Sequence, residues 1–98
     1  MKAYWIAHVN VTDPAQYGQY TQRAPAAFAL YGGRILARGG RNEAMEGRPT
    51  PQRSVVIEFD SYEQAVACYR SEEYQQARAH REGVAEADVI IVEGIPPA

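Results

Sequence analysis

The chain has little of what would mark several familiar protein classes. It holds one cysteine, one tryptophan, two histidines and, among ten basic residues, a single lysine. Cys68 has no second cysteine to pair with, so no internal disulfide can staple the fold, and a reducing cytoplasm is the expected compartment. No run is long and apolar enough to span a bilayer. The segment from Ala3 to Val9 is too short for a secretory core plus cleavage site and is followed by Asn10, so it is expected to be a strand. Ten basic against twelve acidic residues leave a formal net charge of −2, which gives no global attraction for nucleic acid or an anionic membrane. His8, His80 and Cys68 lack the spacing of metal ligands, and no metal or other cofactor is expected. Gly32-Gly33 and Gly39-Gly40 are not phosphate loops, because neither pair follows a strand and opens a helix.

What is present is a chain of 98 residues, 46% hydrophobic and 22% charged, which fits one small domain spanning the whole sequence. A domain of this size buries only about two thirds of its unfolded surface, so a partner subunit would add usefully to its core.

Local patterns set out the elements. Ala3 to Val11 is rich in aromatic and β-branched residues and alternates as a strand does. Asp13 is placed to cap a helix, Pro14 to occupy its first position and Gln16 to complete a capping box. Tyr17, Tyr20, Ala24, Ala27, Phe28 and Tyr31 then recur at helical spacing and form its buried stripe. Pro25 is expected to kink or split this helix, and Gly32-Gly33 to end it. Arg34 to Arg38 reads as a second strand, with an extended pattern resuming from Glu43 to Glu46. Gly39-Gly40 between them marks either a hairpin or a bulge, and strand direction favours the bulge. Arg53 to Phe59 is the next strand. Ser61 caps a helix with Tyr62, Ala65, Val66 and Tyr69 inward, Ser71 caps a shorter one ending near Gly83, and Val89 to Val92 is the last strand.

The order strand, helix, strand, strand, helix, strand predicts an α+β fold, the ferredoxin-like βαββαβ arrangement with both helical segments on one face of a four-stranded antiparallel sheet. Val55-Val56-Ile57 and Val89-Ile90-Ile91-Val92 are apolar at consecutive positions, so both sheet faces ask for cover that the helices cannot supply. A homodimer, two such sheets meeting in a dimeric α/β barrel, is the expected resolution.

Tyr4-Trp5-Ile6-Ala7 leading to Val11-Thr12-Asp13-Pro14, Tyr31-Gly32-Gly33-Arg34, Ala37-Arg38-Gly39-Gly40, Glu46-Gly47, Ile57-Glu58-Phe59 and Val92-Glu93-Gly94 resemble the family of domain of unknown function 1330. The resemblance runs over nearly the whole chain. It implies the dimeric α/β-barrel fold, shared with cofactor-free and haem-handling monooxygenases and with muconolactone-isomerase-like enzymes, and names no substrate.

Strand alternation nominates site residues. If Ile57 and Phe59 face the helices, then Val56 and Glu58 face the other way, joined by Tyr4, Ile6 and His8 on the first strand and Leu36 and Arg38 on the second. A slip of one residue would exchange each for its neighbour. The expected site is thus an apolar, barrel-lining pocket with Tyr4, His8, Arg38 and Glu58 as ligand-binding groups. His8 would serve as a general base, Arg38 as a clamp for a carboxylate or enolate, and Glu58 as the acid that orients them. Each also has a structural alternative: a hydrogen-bonded histidine, an Arg38–Glu58 ion pair and a paired carboxylate. Five arginines between Arg34 and Arg53 give that segment local basic character. Three functions follow: binding of a small aromatic or anionic metabolite, cofactor-independent isomerisation or oxygenation of it, or a non-catalytic interaction module.

Overall fold

The computed structural model describes residues 1–97. Strand β1 (Ala3–Val11), helix α1 (Pro14–Leu30), strands β2 (Arg34–Arg38) and β3 (Arg53–Phe59), helices α2 (Tyr62–Arg70) and α3 (Glu72–Ala79) and strand β4 (Ala85–Glu93) follow in that order. The strands form one antiparallel sheet in the order β2-β3-β1-β4. This is the ferredoxin-like arrangement, with the helices on one face. None of the described helices is long and apolar enough to cross a membrane.

Short-range chemistry fixes the helix ends. The Asp13 carboxylate accepts from the Gln16 N–H, while the Asp13 N–H itself goes to the carbonyl of Val84, tying the start of α1 to the approach to β4. At the other end the N–H groups of Gly32 and Gly33 return to the carbonyls of Ala29 and Phe28, and Gly32 takes φ 75° as this closure requires. Pro25 neither splits nor ends α1, which is continuous through it. The cost of the missing N–H is local, and the buried residues Ala24, Ala27 and Phe28 hold both sides of the proline to the core. Ser71 joins α2 to α3 by accepting from the Tyr74 N–H and donating to the carbonyl of Cys68.

The core is aromatic at its centre. The indole of Trp5 meets Phe28 edge-on at 5.1 Å and Tyr74 at 4.9 Å, and Phe59 lies stacked 6.2 Å away. On α2 the fully buried residues are Ala65 and Cys68, whereas Tyr62, expected inside, is exposed. Burial holds the Cys68 thiol up, at about 12.

Two strands differ from expectation. β4 starts at Ala85, because pairing of Ala85 and Ala87 with Val11 and Val9 extends it through residues of low strand propensity. Glu43 to Glu46 forms no strand. β2 ends at Arg38, Gly39 turns with φ 70°, and the loop over 40–52 is held by side chains such as Thr50, whose hydroxyl accepts from the Ala44 N–H. There is a bulge, but it falls between Ile35 and Ala37, ahead of the glycines.

Candidate functional site

Register assigns every strand residue to a face. On the face away from the helices, four rows cross the sheet: Val92–Tyr4–Glu58–Arg34, then Ile90–Ile6–Val56–Ala37, then Asp88–His8–Ser54, then Glu86–Asn10. On the helix side the rows are Ile91–Trp5–Ile57–Ile35, Val89–Ala7–Val55–Arg38 and Ala87–Val9–Arg53.

The bulge at Leu36 therefore reverses one assignment. Arg38 stands opposite Val55 on the helix side, and Arg34 takes the position beside Glu58. Strict alternation along β2 would have put Arg38 on the same face as Arg34, and an inserted residue is what separates them. The Glu58 carboxylate accepts from Arg34 Nε at 3.0 Å and from the Tyr4 hydroxyl at 3.1 Å. Arg34 also reaches Asp60 at 2.9 Å, and Lys2 closes the chain to Asp60 at 2.8 Å. These bonds, Arg34 first, hold the Glu58 carboxyl below the usual carboxylate range, and Lys2 and Arg34 do the same for Asp60. The Tyr4 hydroxyl is pushed up by the same hydrogen bond to Glu58. With its donors engaged on carboxylates, this row is a structural ion network.

His8 lies four residues along β1 from Tyr4, about 13 Å away at strand spacing. Its Nδ1 is 3.1 Å from the Ser54 hydroxyl, which donates to the side-chain carbonyl of Asn42 at 2.7 Å. With the hydroxyl proton used on Asn42, the Ser54 oxygen is placed to accept from an N–H at Nδ1. His8 is exposed and faces a broad, open concavity of about 910 Å³ under the loop, together with Arg48 and Asp88, which pair at 3.5 Å. The four residues expected to share one site are thus found in three places.

The helix side holds a feature that strand alternation did not assemble. α1 stands off the sheet and leaves a cavity of about 50 Å³ between them, opening at one side. Its floor is Trp5, Ala7, Val9, Val55 and Val89, and its roof is Tyr17, Tyr20, Ala24, Pro25 and Phe28. Arg38, Arg53 and Arg81 all reach this cleft. Arg81 is placed by the Tyr74 hydroxyl at 3.3 Å and lies 5.3 Å over the Tyr20 ring; the Arg53 guanidinium lies 6.0 Å over Tyr17. Among the described residues none of the three is within ion-pair distance of a carboxylate. Burial raises both Tyr17 and Tyr20, and Tyr20 also shares a 2.9 Å hydrogen bond with Tyr74, so the hydroxyls stay protonated at ordinary pH.

Sequence reasoning missed Arg53, Arg81, Tyr17 and Tyr20 as site residues. One signal was available: Arg53 has the same parity as Val55, Ile57 and Phe59, which puts a charge in the buried register of β3. Among the described residues no three His, Cys, Asp or Glu side chains gather as a metal site.

A ferredoxin-like sheet with one face bare and an arginine-rimmed apolar cleft under the first helix together define the architecture of this α+β domain. The chain belongs to the DUF1330 family, a domain of unknown function, whose model matches residues 2–95. No curated protein matches the sequence. Among solved structures it is similar to the RPA0582 protein of unknown function from Rhodopseudomonas palustris, at 16% identity and TM-score 0.77, over 98% of this chain and 84% of that one. It is also similar to SnoaB, a cofactor-independent oxygenase from Streptomyces nogalater, at 9% identity and TM-score 0.68, over 98% and 95%. A third is a dimeric protein of unknown function and ferredoxin-like fold from Bacteroides fragilis, at 14% identity and TM-score 0.64, over 95% and 96%. At these identities the likeness establishes the fold.

Proposed function

We propose that this protein is a homodimer that binds a small aromatic, anionic metabolite in the cleft between α1 and the sheet. The observation that carries the reading is the meeting of three arginines without carboxylate partners at an otherwise apolar cleft, in a chain of net charge −2. Its charged lining is wholly of donors, three guanidinium groups, beside the hydroxyls of Tyr17, Tyr20 and Thr21. Such a lining selects a ligand rich in acceptors, with a flat body to lie between valine and tyrosine side chains. Arg38 keeps the ligand-binding role expected of it, exercised on the helix side. Glu58 and Tyr4 act in the ion network, and His8 belongs to the opposite face.

The dimer reading rests on the row Ile90–Ile6–Val56–Ala37, which crosses the bare face with Ile90 60% exposed and Val92 beside it 46% exposed. A second copy laid sheet to sheet covers that row, and the dimeric neighbour of the same fold supports this choice. A catalytic role is the second reading, favoured by likeness in fold to an oxygenase that needs no cofactor. Proton-transfer isomerisation fits less well, since neither histidine nor carboxylate lines the cleft to act as a base.

The test is thermal melting of the purified protein with a panel of aryl carboxylates and their neutral amides. The reading expects the acids to raise the melting temperature and the amides to do so less. Equal effects of acids and amides, or no effect of either at millimolar concentration, would contradict it.

A further inference from the structure

Arg53 begins β3 on the helix side, in register with Val55, Ile57 and Phe59, where its side chain is partly covered. Its Nε is buried and has no hydrogen-bond partner among the described residues. Folded proteins rarely leave a buried donor in that condition, least of all on a charged group. The side chain is otherwise carefully accommodated. Gly39 follows β2 with φ 70°, and a Cβ built there would lie 3.2 Å from Arg53 Nη1. Absence of a side chain at Gly39 thus leaves room for the guanidinium, which lies 6.0 Å over the Tyr17 ring. Arg38 sits opposite Val55, two residues along from Arg53 on the same face, so two cations flank one side of the cleft with no carboxylate between them. Like charges lining one cleft repel each other, and an anion bound between them would reverse the sign of the interaction.

We propose that Arg53 is the anion-binding residue of the cleft, its Nε edge receiving the carboxylate of an aryl carboxylic acid with Arg38 as the second cation and Gly39 as the gap that sets the fork. This rests on the cleft being the ligand site. The cavity of about 50 Å³ is smaller than the roughly 150 Å³ that accepts a benzene ring in an engineered core, so an aryl ligand requires the cleft to widen as it enters. Bidentate recognition by a planar fork explains why an arginine occupies a position where a lysine would carry the same charge.

Calorimetric titration with 4-hydroxybenzoate and its neutral counterpart 4-hydroxybenzamide tests the assignment in the wild type and in Arg53→Met, Arg53→Lys and Gly39→Ala. The wild type is expected to bind the acid at least about tenfold more tightly than the amide, and Arg53→Met to remove most of that preference, leaving only what Arg38 supplies. Arg53→Lys, which keeps charge and stem, is expected to retain only part of it. Gly39→Ala, which changes no charge but strains the turn at φ 70°, is expected, where its melting curve shows it folded, to weaken the acid several-fold and the amide less. An acid preference unchanged in Arg53→Met and Arg53→Lys, each shown by its melting curve to be folded, would overturn the role of Arg53 and leave the cleft reading standing. Failure of the wild type to bind either probe at millimolar concentration would overturn both.

Discussion

Substitution of Ile90 by glutamate addresses the pairing of two sheets directly. Ile90 is 60% exposed in the single chain and stands next to Ile6 in the central apolar row of the bare face. Complete burial of an isoleucine side chain stabilises by about 1.5–3 kcal/mol. Covering the exposed 60% is therefore worth about 1–2 kcal/mol per copy, and the two-fold counts it twice, about 2–4 kcal/mol for the dimer. Glutamate removes that gain and adds a carboxylate to be buried beside apolar side chains, a further penalty of several kcal/mol unless it finds a partner. The upper end of the lost burial alone, about 4 kcal/mol, corresponds to about a thousandfold in the dimer dissociation constant, and the carboxylate penalty adds to it. Sedimentation equilibrium over a micromolar range is the assay, with circular dichroism to show that the variant keeps its helices. The wild type is expected at twice 10.9 kDa, Ile90→Glu near 10.9 kDa and Ile90→Ala between them as concentration falls. Wild type sedimenting as a monomer, or Ile90→Glu associating as tightly as wild type, would refute the reasoning.

Three further outcomes follow from the packing and the charge network. Gly33→Ala is expected to destabilise by about 1–3 kcal/mol, because the new Cβ meets the Phe59 ring at 3.0 Å and the Phe28 carbonyl at 3.1 Å, both in the packed interior; a chemical denaturation midpoint measures it. Cys68, with its thiol held at about 12 by burial, is expected to resist alkylation in the native protein and to react only as fast as the chain unfolds, followed by mass spectrometry against a denatured control. Glu58 has a folded-state carboxyl below its ordinary value, so its contribution is fully present above the unfolded value of 4.5 and is lost as pH falls through the lower folded value. Acid titration of stability is therefore expected to show a steeper loss below about pH 4.5 in the wild type than in Glu58→Gln, with the two profiles parallel above that.

Much of the fold is legible from short-range chemistry. Asp13, Ser61 and Ser71 each accept from the N–H three residues on, as their spacing suggests, and Gly32-Gly33 closes α1 as two glycines after an aromatic stripe should. What was not legible depends on the partner strand. The Ala85–Asp88 segment is strand because β1 offers it a ladder, not because its residues favour extension. Pro25 survives inside α1 because its neighbours are anchored on both sides. The candidate site is the harder case, because one bulge at Leu36 moves Arg38 through the sheet while Arg34, of the same parity, stays on the bare face beside Glu58, a separation that composition and parity cannot reveal. Arg81 illustrates a different limit. It comes from the turn after α3 and is held at the cleft by the nearby Tyr74 and by the ring of Tyr20, a residue far away in the chain.

The central claim is that a small anionic ligand sits between α1 and the sheet and not on the bare sheet face. Chemical-shift mapping during titration with 4-hydroxybenzoate tests it most directly, since both faces are reported in one experiment. The account predicts that the Trp5 indole, the Arg53 side-chain Nε–H and the α1 amides around Tyr17 and Tyr20 shift together and saturate, while the His8 and Ser54 signals stay in place. Shifts confined to Tyr4, His8 and Ser54, with the Trp5 and Arg53 side chains unmoved, would contradict it.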